Sequence, residues 1–189
     1  DDIPYLFDSD DFNTFEQENR LACYCLVKQF GITKDQFLRS CMTFRKPPHR
    51  MEFVREINGV SYYNDSKGTN VDAVIKAVGA FPGKIILIAG GKDKGGSFES
   101  WVKPFAQNVL CVYAIGEAKD RLYRELSPYL AVKTFDNLSG AVEFAYSEAC
   151  EGETVLLSPG CSSFDQYENF EERGNEFKKI VRNLCGKII

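Results

Sequence analysis

Pro47-Pro48-His49-Arg50-Met51-Glu52, followed by Asn58-Gly59-Val60-Ser61-Tyr62-Tyr63-Asn64-Asp65-Ser66-Lys67-Gly68-Thr69-Asn70, is the stretch on which the fold of this chain turns. Two prolines stop the segment before them, because proline has no amide proton to give a helix and pushes its predecessor toward extended geometry. Met51 to Ile57 and Val60 to Asn64 read as two strands around Asn58-Gly59, a pair suited to a hairpin turn that needs positive φ at both central positions. The second strand empties into Asp-Ser-Lys-Gly-Thr-Asn just before an apolar helix. In an open α/β sheet, ligands bind at that carboxyl end of a strand.

Downstream the pattern alternates. A helix is predicted over 70–80, a continuously apolar strand over 84–89 (KIILIA) and a helix over 98–107. A strand over 110–115, a helix over 117–126 and a short strand over 131–135 come next. A helix over 137–149, a strand over 154–158 and a long helix over 166–184 complete the series. Strands alternating with helices of this length imply right-handed βαβ units. Residues 49–189 therefore read as one α/β domain, a Rossmann-like, mostly parallel sheet flanked by helices and opened by a β-hairpin.

Upstream, residues 1–12 are acidic, with Ile3, Leu6 and Phe7 as a possible edge strand. A helix from Asn13 or Thr14 to about Phe30 carries Leu21, Ala22, Cys25, Leu26 and Gln29 at helical spacing, and Gly31 ends it. A second, from Thr33 to Thr43, turns Phe37, Leu38 and Cys41 inward. Two helices with one apolar stripe each do not bury themselves, so residues 1–48 read as a helical remnant of a preceding domain with an apolar face exposed. The start at Asp1-Asp2 without a Met suggests a piece of a longer chain. Arg45 to His49, stiffened by two prolines, reads as the joint between the domains.

Composition narrows the function. The chain has 189 residues, 44% of them hydrophobic, and a formal net charge of −4, with no basic tract for nucleic acid. No apolar run reaches the ~20 residues of a membrane-spanning helix. Seven cysteines at irregular spacing read as reduced thiols, and His49 is the only histidine, which excludes a multi-histidine metal site.

Three strand exits carry polar groups. Gly90-Gly91-Lys92-Asp93-Lys94-Gly95-Gly96 suits either a flexible turn or an anion site, but is neither a Walker A loop nor a dinucleotide fingerprint. Ser158-Pro159-Gly160-Cys161-Ser162-Ser163-Phe164-Asp165 suits a binding loop or a helix cap at Ser162, Ser163 or Asp165; Cys161 as nucleophile lacks a nearby base. Asn169-Phe170-Glu171-Glu172-Arg173-Gly174 reads as a solvated helix face with Glu–Arg pairs or as part of the same site.

Together HRMEFV, YYNDSKGTN, IAGGKDKG and LLSPGCSSFDQYENFEERGNEF resemble, in order and spacing, the carboxy-terminal part of the Mur ligases, over residues 13–189. The loops are most similar to those of the branch that adds D-glutamate to UDP-N-acetylmuramoyl-L-alanine during cytoplasmic peptidoglycan synthesis. The resemblance implies ATP-driven amide synthesis through an acyl phosphate. It implies Asn19 against adenine, Arg50 near the phosphates, Asp65 on the ribose, and Lys67 as the catalytic lysine near the reacting groups. Thr69, Lys94, Ser163, Phe164 and Phe170 would line the D-glutamate pocket. Where the family has His-Asn shortly before Asn19, this chain has Phe15-Glu16. The resemblance makes residues 1–48 the carboxy-terminal end of the central ATPase domain; the P-loop, the magnesium ligands and the UDP pocket are expected upstream of this sequence, so the fragment alone is expected to be inactive. A folylpolyglutamate-type ligase, another Mur ligase, or a non-enzymatic nucleotide-binding module are the alternatives.

Overall fold

The computed structural model describes residues 14–185, so the expected strand around Ile3, Leu6 and Phe7 lies outside the described residues. The chain divides into two compact units between Lys46 and Pro47.

In the first unit, α1 (Thr14–Lys28) and α2 (Lys34–Thr43) are separated by a turn with Gly31 at φ 80°. Thr33 and Gln36 form a reciprocal capping box: the Gln36 amide donates to Thr33 Oγ1 and the Thr33 amide to Gln36 Oε1. The two helices bury only a small cluster, Tyr24 and Phe37 with Val27 and Cys41 against them. The expected inward face of α1 was misplaced: Ala22, Cys25, Leu26 and Gln29 are exposed, and Leu21 is half-buried. The contact with α2 runs through Tyr24, whose ring meets Phe37 at 5.3 Å, and the stripe follows that aromatic anchor. Leu26, Phe30, Met42 and Phe44 are exposed apolar side chains in this unit.

The second unit is a six-stranded sheet in the order β1-β2-β6-β3-β4-β5. Its strands are β1 (Glu52–Ile57), β2 (Val60–Asn64), β3 (Ile85–Gly90), β4 (Val109–Ile115), β5 (Val132–Thr134) and β6 (Thr154–Gly160). Only β1 and β2 pair antiparallel, through a hairpin with Asn58 at φ 51° and Gly59 at φ 73°; the other pairings are parallel.

The helices of this unit are α3 (Val71–Gly79), α4 (Val102–Phe105), α5 (Lys119–Leu126), α6 (Leu138–Glu148) and α7 (Phe170–Asn183). Side chains of α3, α4 and α5 share a buried cluster with Ile85, Leu87 and Ala89 on one face of β3. Side chains of α6 and α7 share another with Ile86 and Ile88 on the opposite face. This alternation explains why KIILIA is apolar at every position: β3 is covered on both sides.

Two boundaries moved. Residues 98–107 hold a 3-10 turn (Glu99–Trp101) and the single-turn α4, because Pro104 has no amide to extend a longer ladder. The last helix begins at Phe170, capped by Asn169, whose side chain accepts from the Glu172 amide at 2.7 Å. Neither Ser162, Ser163 nor Asp165 caps it.

The order of strands places the crevice. β2 and β3 lead into helices on one face, while β6, lying between them, leads into α7 on the other. The exits of β2, β6 and β3 therefore diverge around a topological switch point.

Candidate functional site

Three exit loops meet at this switch point. Asn64 ends β2 and Asp65 follows it, and the Asp65 amide donates to the Leu157 carbonyl of β6 at 2.7 Å. The Gly160 amide donates back to the Gly68 carbonyl at 2.7 Å, and the Lys92 amide after β3 donates to the Ser162 carbonyl at 2.9 Å. The sheet ladder thus continues into the loops and sets their spacing.

The floor is a buried polar network. Asp65 is 5% exposed; its Oδ2 accepts from Ser158 Oγ at 2.7 Å and its Oδ1 from the Met51 amide at 3.3 Å. Burial pushes its carboxyl up to about 6, against the opposing hydrogen bonds of Ser158 and Met51 and the charge of Arg50. Arg173 is 1% exposed, which overturns the solvated-face reading for this residue, while Glu171 and Glu172 do lie exposed. Its Nε donates to Ser66 Oγ at 3.0 Å and its Nη2 to the Ser66 carbonyl at 2.9 Å. Both terminal nitrogens donate to the Cys161 carbonyl at 3.3 Å. Burial lowers the Arg173 pKa to about 10, so it stays charged at neutral pH. One guanidinium from α7 thus joins the β2 and β6 exits.

Arg50 rides on a strained turn. His49 and Met51, on either side of it, have φ of 62° and 47°, a region costly for non-glycine residues. The turn is pinned on three sides: the His49 amide to Glu52 Oε2 at 2.9 Å, the Lys67 amide to the His49 carbonyl at 3.0 Å, and Met51 to Asp65. The His49 ring is buried, and its Nδ1 lies 3.0 Å from Asn64 Nδ2. Burial, then the charge of Lys178, lowers the His49 pKa. A Cβ at Gly174 would collide with this ring.

Above the floor stand the exposed groups. Lys67 Nζ lies 4.7 Å from the centroid of the half-buried Phe170 ring. Lys94 Nζ reaches the Thr69 carbonyl at 3.3 Å, so the β2 and β3 loops touch. Ser163 is buried in the β6 loop, and Phe164 beside it is 66% exposed. Arg50, Lys67, Lys92 and Lys94 are exposed and form no ion pair with a carboxylate among the described residues. Asn19 is exposed on α1, in the other compact unit. All seven cysteines are free thiols, and burial pushes Cys161 up to about 12, far from a nucleophile's range. No cluster of three or more metal-ligating side chains occurs among the described residues. No helix among them is long and apolar enough to cross a membrane.

Sequence reasoning passed over Asn64, Ser66, Ser158 and Arg173. The usable signal was Gly174. A glycine inside a helix is destabilising by about 1 kcal/mol relative to alanine, so it marks a close approach, here of His49 and Ser66.

Comparison with known proteins places this geometry. Residues 49–161 match the family described as "Mur ligase, glutamate ligase domain". The chain is 49% identical over 167 residues to UDP-N-acetylmuramoylalanine–D-glutamate ligase of Protochlamydia amoebophila, covering 88% of this chain and 38% of that protein. It is 46% identical over 170 residues to the enzyme of that name from Caldicellulosiruptor bescii, covering 88% and 37%. The chain thus spans well under half the length of these relatives. Among solved structures, the MurF ligase of Thermotoga maritima in complex with ADP shares the fold, with a TM-score of 0.61 at 20% identity over 90% of this chain and 39% of that one.

Proposed function

Since the chain belongs to the Mur ligases through their glutamate ligase domain, we propose that it is the amino-acid-binding end of an ATP-dependent ligase joining D-glutamate to UDP-N-acetylmuramoyl-L-alanine. The observation that carries the proposal is the meeting of three strand exits around exposed cations, with Lys94 Nζ 3.3 Å from the Thr69 carbonyl. The names of the two relatives support the choice of amino acid.

In the proposed reaction the acceptor's carboxylate oxygen attacks the γ-phosphorus of ATP, and ADP leaves. The amine of D-glutamate then attacks the acyl carbon; phosphate departs and the amine loses a proton. Lys67 and Arg50 provide fixed cations for charge developing on the phosphoryl and acyl oxygens. Lys67 is held by Phe170 and by its own amide on His49. Lys94 holds a side-chain carboxylate by a charge-assisted bond, and Thr69 and Ser163 add hydroxyl donors. Phe164 and Phe170 flank that pocket. Asp65, besides the ribose contact its motif implies, holds the turn that carries Arg50. The described residues suit anionic phosphates and offer no acidic cluster for magnesium. That ion neutralises phosphate charge when bound, and its ligands belong to the domains expected upstream.

Bonds to a charged group contribute roughly 1.5–3 kcal/mol, so Lys94→Ala in the full-length protein should raise the KM for D-glutamate about tenfold to a hundredfold. The KM for ATP should change little. Steady-state kinetics decide the matter: a variant impaired toward ATP alone would make the β3 exit a phosphate loop and overturn the assignment.

A further inference from the structure

Asp93 sits beside Lys94 in the β3 exit loop, within a chain turn of the ammonium that the proposed function gives to a substrate carboxylate. Left to itself, such a neighbour is a rival. A tethered carboxylate competes at an effective concentration of about millimolar or more, comparable with a free amino acid. The structure holds it elsewhere. Asp93 Oδ2 accepts from Arg121 Nη1 of α5 at 2.6 Å, and Oδ1 from the Gly95 amide at 2.8 Å. Arg121 is itself anchored: its Nε donates to Glu125 Oε1 at 2.6 Å, and its guanidinium lies 5.4 Å from the Phe98 ring centroid. Glu125 Oε2 accepts from the Phe98 amide at 2.8 Å, which closes the clasp on the far end of the same loop. The Lys94 amide also donates to Asp93, while the Lys94 ammonium reaches a neutral acceptor, the Thr69 carbonyl, at 3.3 Å.

We propose that Arg121 is a positioning residue that keeps Asp93 away from Lys94, so that the ammonium stays open to the carboxylate of the incoming amino acid. The inference rests on the assignment of Lys94 to that carboxylate. The arrangement also gives the GGKDKG string a division of labour: Lys94 binds, Asp93 is restrained, and Gly95 supplies the amide that helps restrain it.

A mutant cycle in the full-length protein, with ATP-dependent ligation of D-glutamate as readout, tests this. Arg121→Ala frees Asp93 and should raise the KM for D-glutamate about threefold to tenfold, with kcat and the KM for ATP within about twofold. Arg121→Lys, which keeps a cation against Asp93, should stay within about twofold of the parent. Asp93→Asn can still accept from Gly95 but carries no charge, so alone it should also stay within about twofold, and added to Arg121→Ala it should restore the KM. Should Arg121→Ala not fold, Arg121→Gln takes its place in the cycle. If Asp93→Asn is as impaired as Arg121→Ala, or the double variant is no better, the clasp only orders the loop and the inference fails. If Lys94→Ala raises the KM for D-glutamate while Arg121→Ala leaves it unchanged, the inference fails alone. If Lys94→Ala leaves that KM unchanged, the assignment beneath it fails, and the inference with it.

Discussion

On the α7 side of the crevice, Arg173, Ser66, Asn64 and His49 are buried and hydrogen-bonded into one network, whereas on the β3 side Lys92 and Lys94 stand exposed on a loop tied by one ion pair from Arg121. The first side has its hydrogen bonds satisfied inside the protein, so it sets distances between loops. The second keeps cations without carboxylate partners, so it can exchange a weak internal contact for a ligand. A buried polar group is costly unless paired, and an exposed ammonium is not. The division teaches where to expect stability and where to expect binding when either side is altered.

The sharpest way to break the comparison is Arg173→Met. It leaves the carbonyls of Ser66 and Cys161 buried without their donor, and unfolding by denaturant should show a loss of about 4 kcal/mol. A loss below about 1 kcal/mol would mean that the network does not hold the loops.

Next in size is a pH effect at Asp65. The folded carboxyl keeps its proton up to about 6, while the unfolded one loses it near 3.8. The folded state therefore binds more protons in that window, and the stability it contributes is complete below 3.8 and lost as pH rises through 6. Asp65→Asn stays neutral throughout. Its stability relative to the parent should improve by up to about 3 kcal/mol between pH 4 and pH 7, a difference that cancels the other titrating groups. A flat difference across that range would place the charge in solvent.

Gly174→Ala tests the closeness of His49 to α7. Alanine gains about 1 kcal/mol of helix propensity, but the clash is expected to be worth about 2 kcal/mol because hydrogen bonds hold the ring and its backbone in place. The net outcome should be destabilisation of about 1 kcal/mol, and a stabilised variant would show that the ring has room.

The smallest effect belongs to the other side. Lys94→Ala should change stability by less than about 0.5 kcal/mol in the same unfolding assay while still impairing use of D-glutamate. A large stability loss would erase the distinction between frame and working groups.

Local signals carried far in this chain. Asn58-Gly59 specified the hairpin because few other pairs accept positive φ at both central positions. KIILIA announced a strand covered on both faces, whereas the asparagines that cap α3, α6 and α7 were not read as caps. That the three polar loops come together was legible, because strand exits of one sheet converge; Lys67, Thr69, Lys94 and Ser163 were singled out within them by the family resemblance alone. The inward stripe of α1 was not legible, since apolar residues lie on more than one of its faces and only the partner helix selects among them. Nor was Arg173: the string Phe-Glu-Glu-Arg-Gly suits a solvated helix as well as a buried one.

By itself the sequence determined the alternation of elements, the hairpin and the family motifs, because these depend on backbone conformations and periodicities local to a few residues. Only the tertiary structure decided that β6 inserts between β2 and β3, that Arg173 and Asp65 lie under the crevice, and that Arg121 holds Asp93. These pairings join residues 28 to 107 positions apart, and which carbonyl or carboxylate a charged group reaches over such a span is set by how the layers pack.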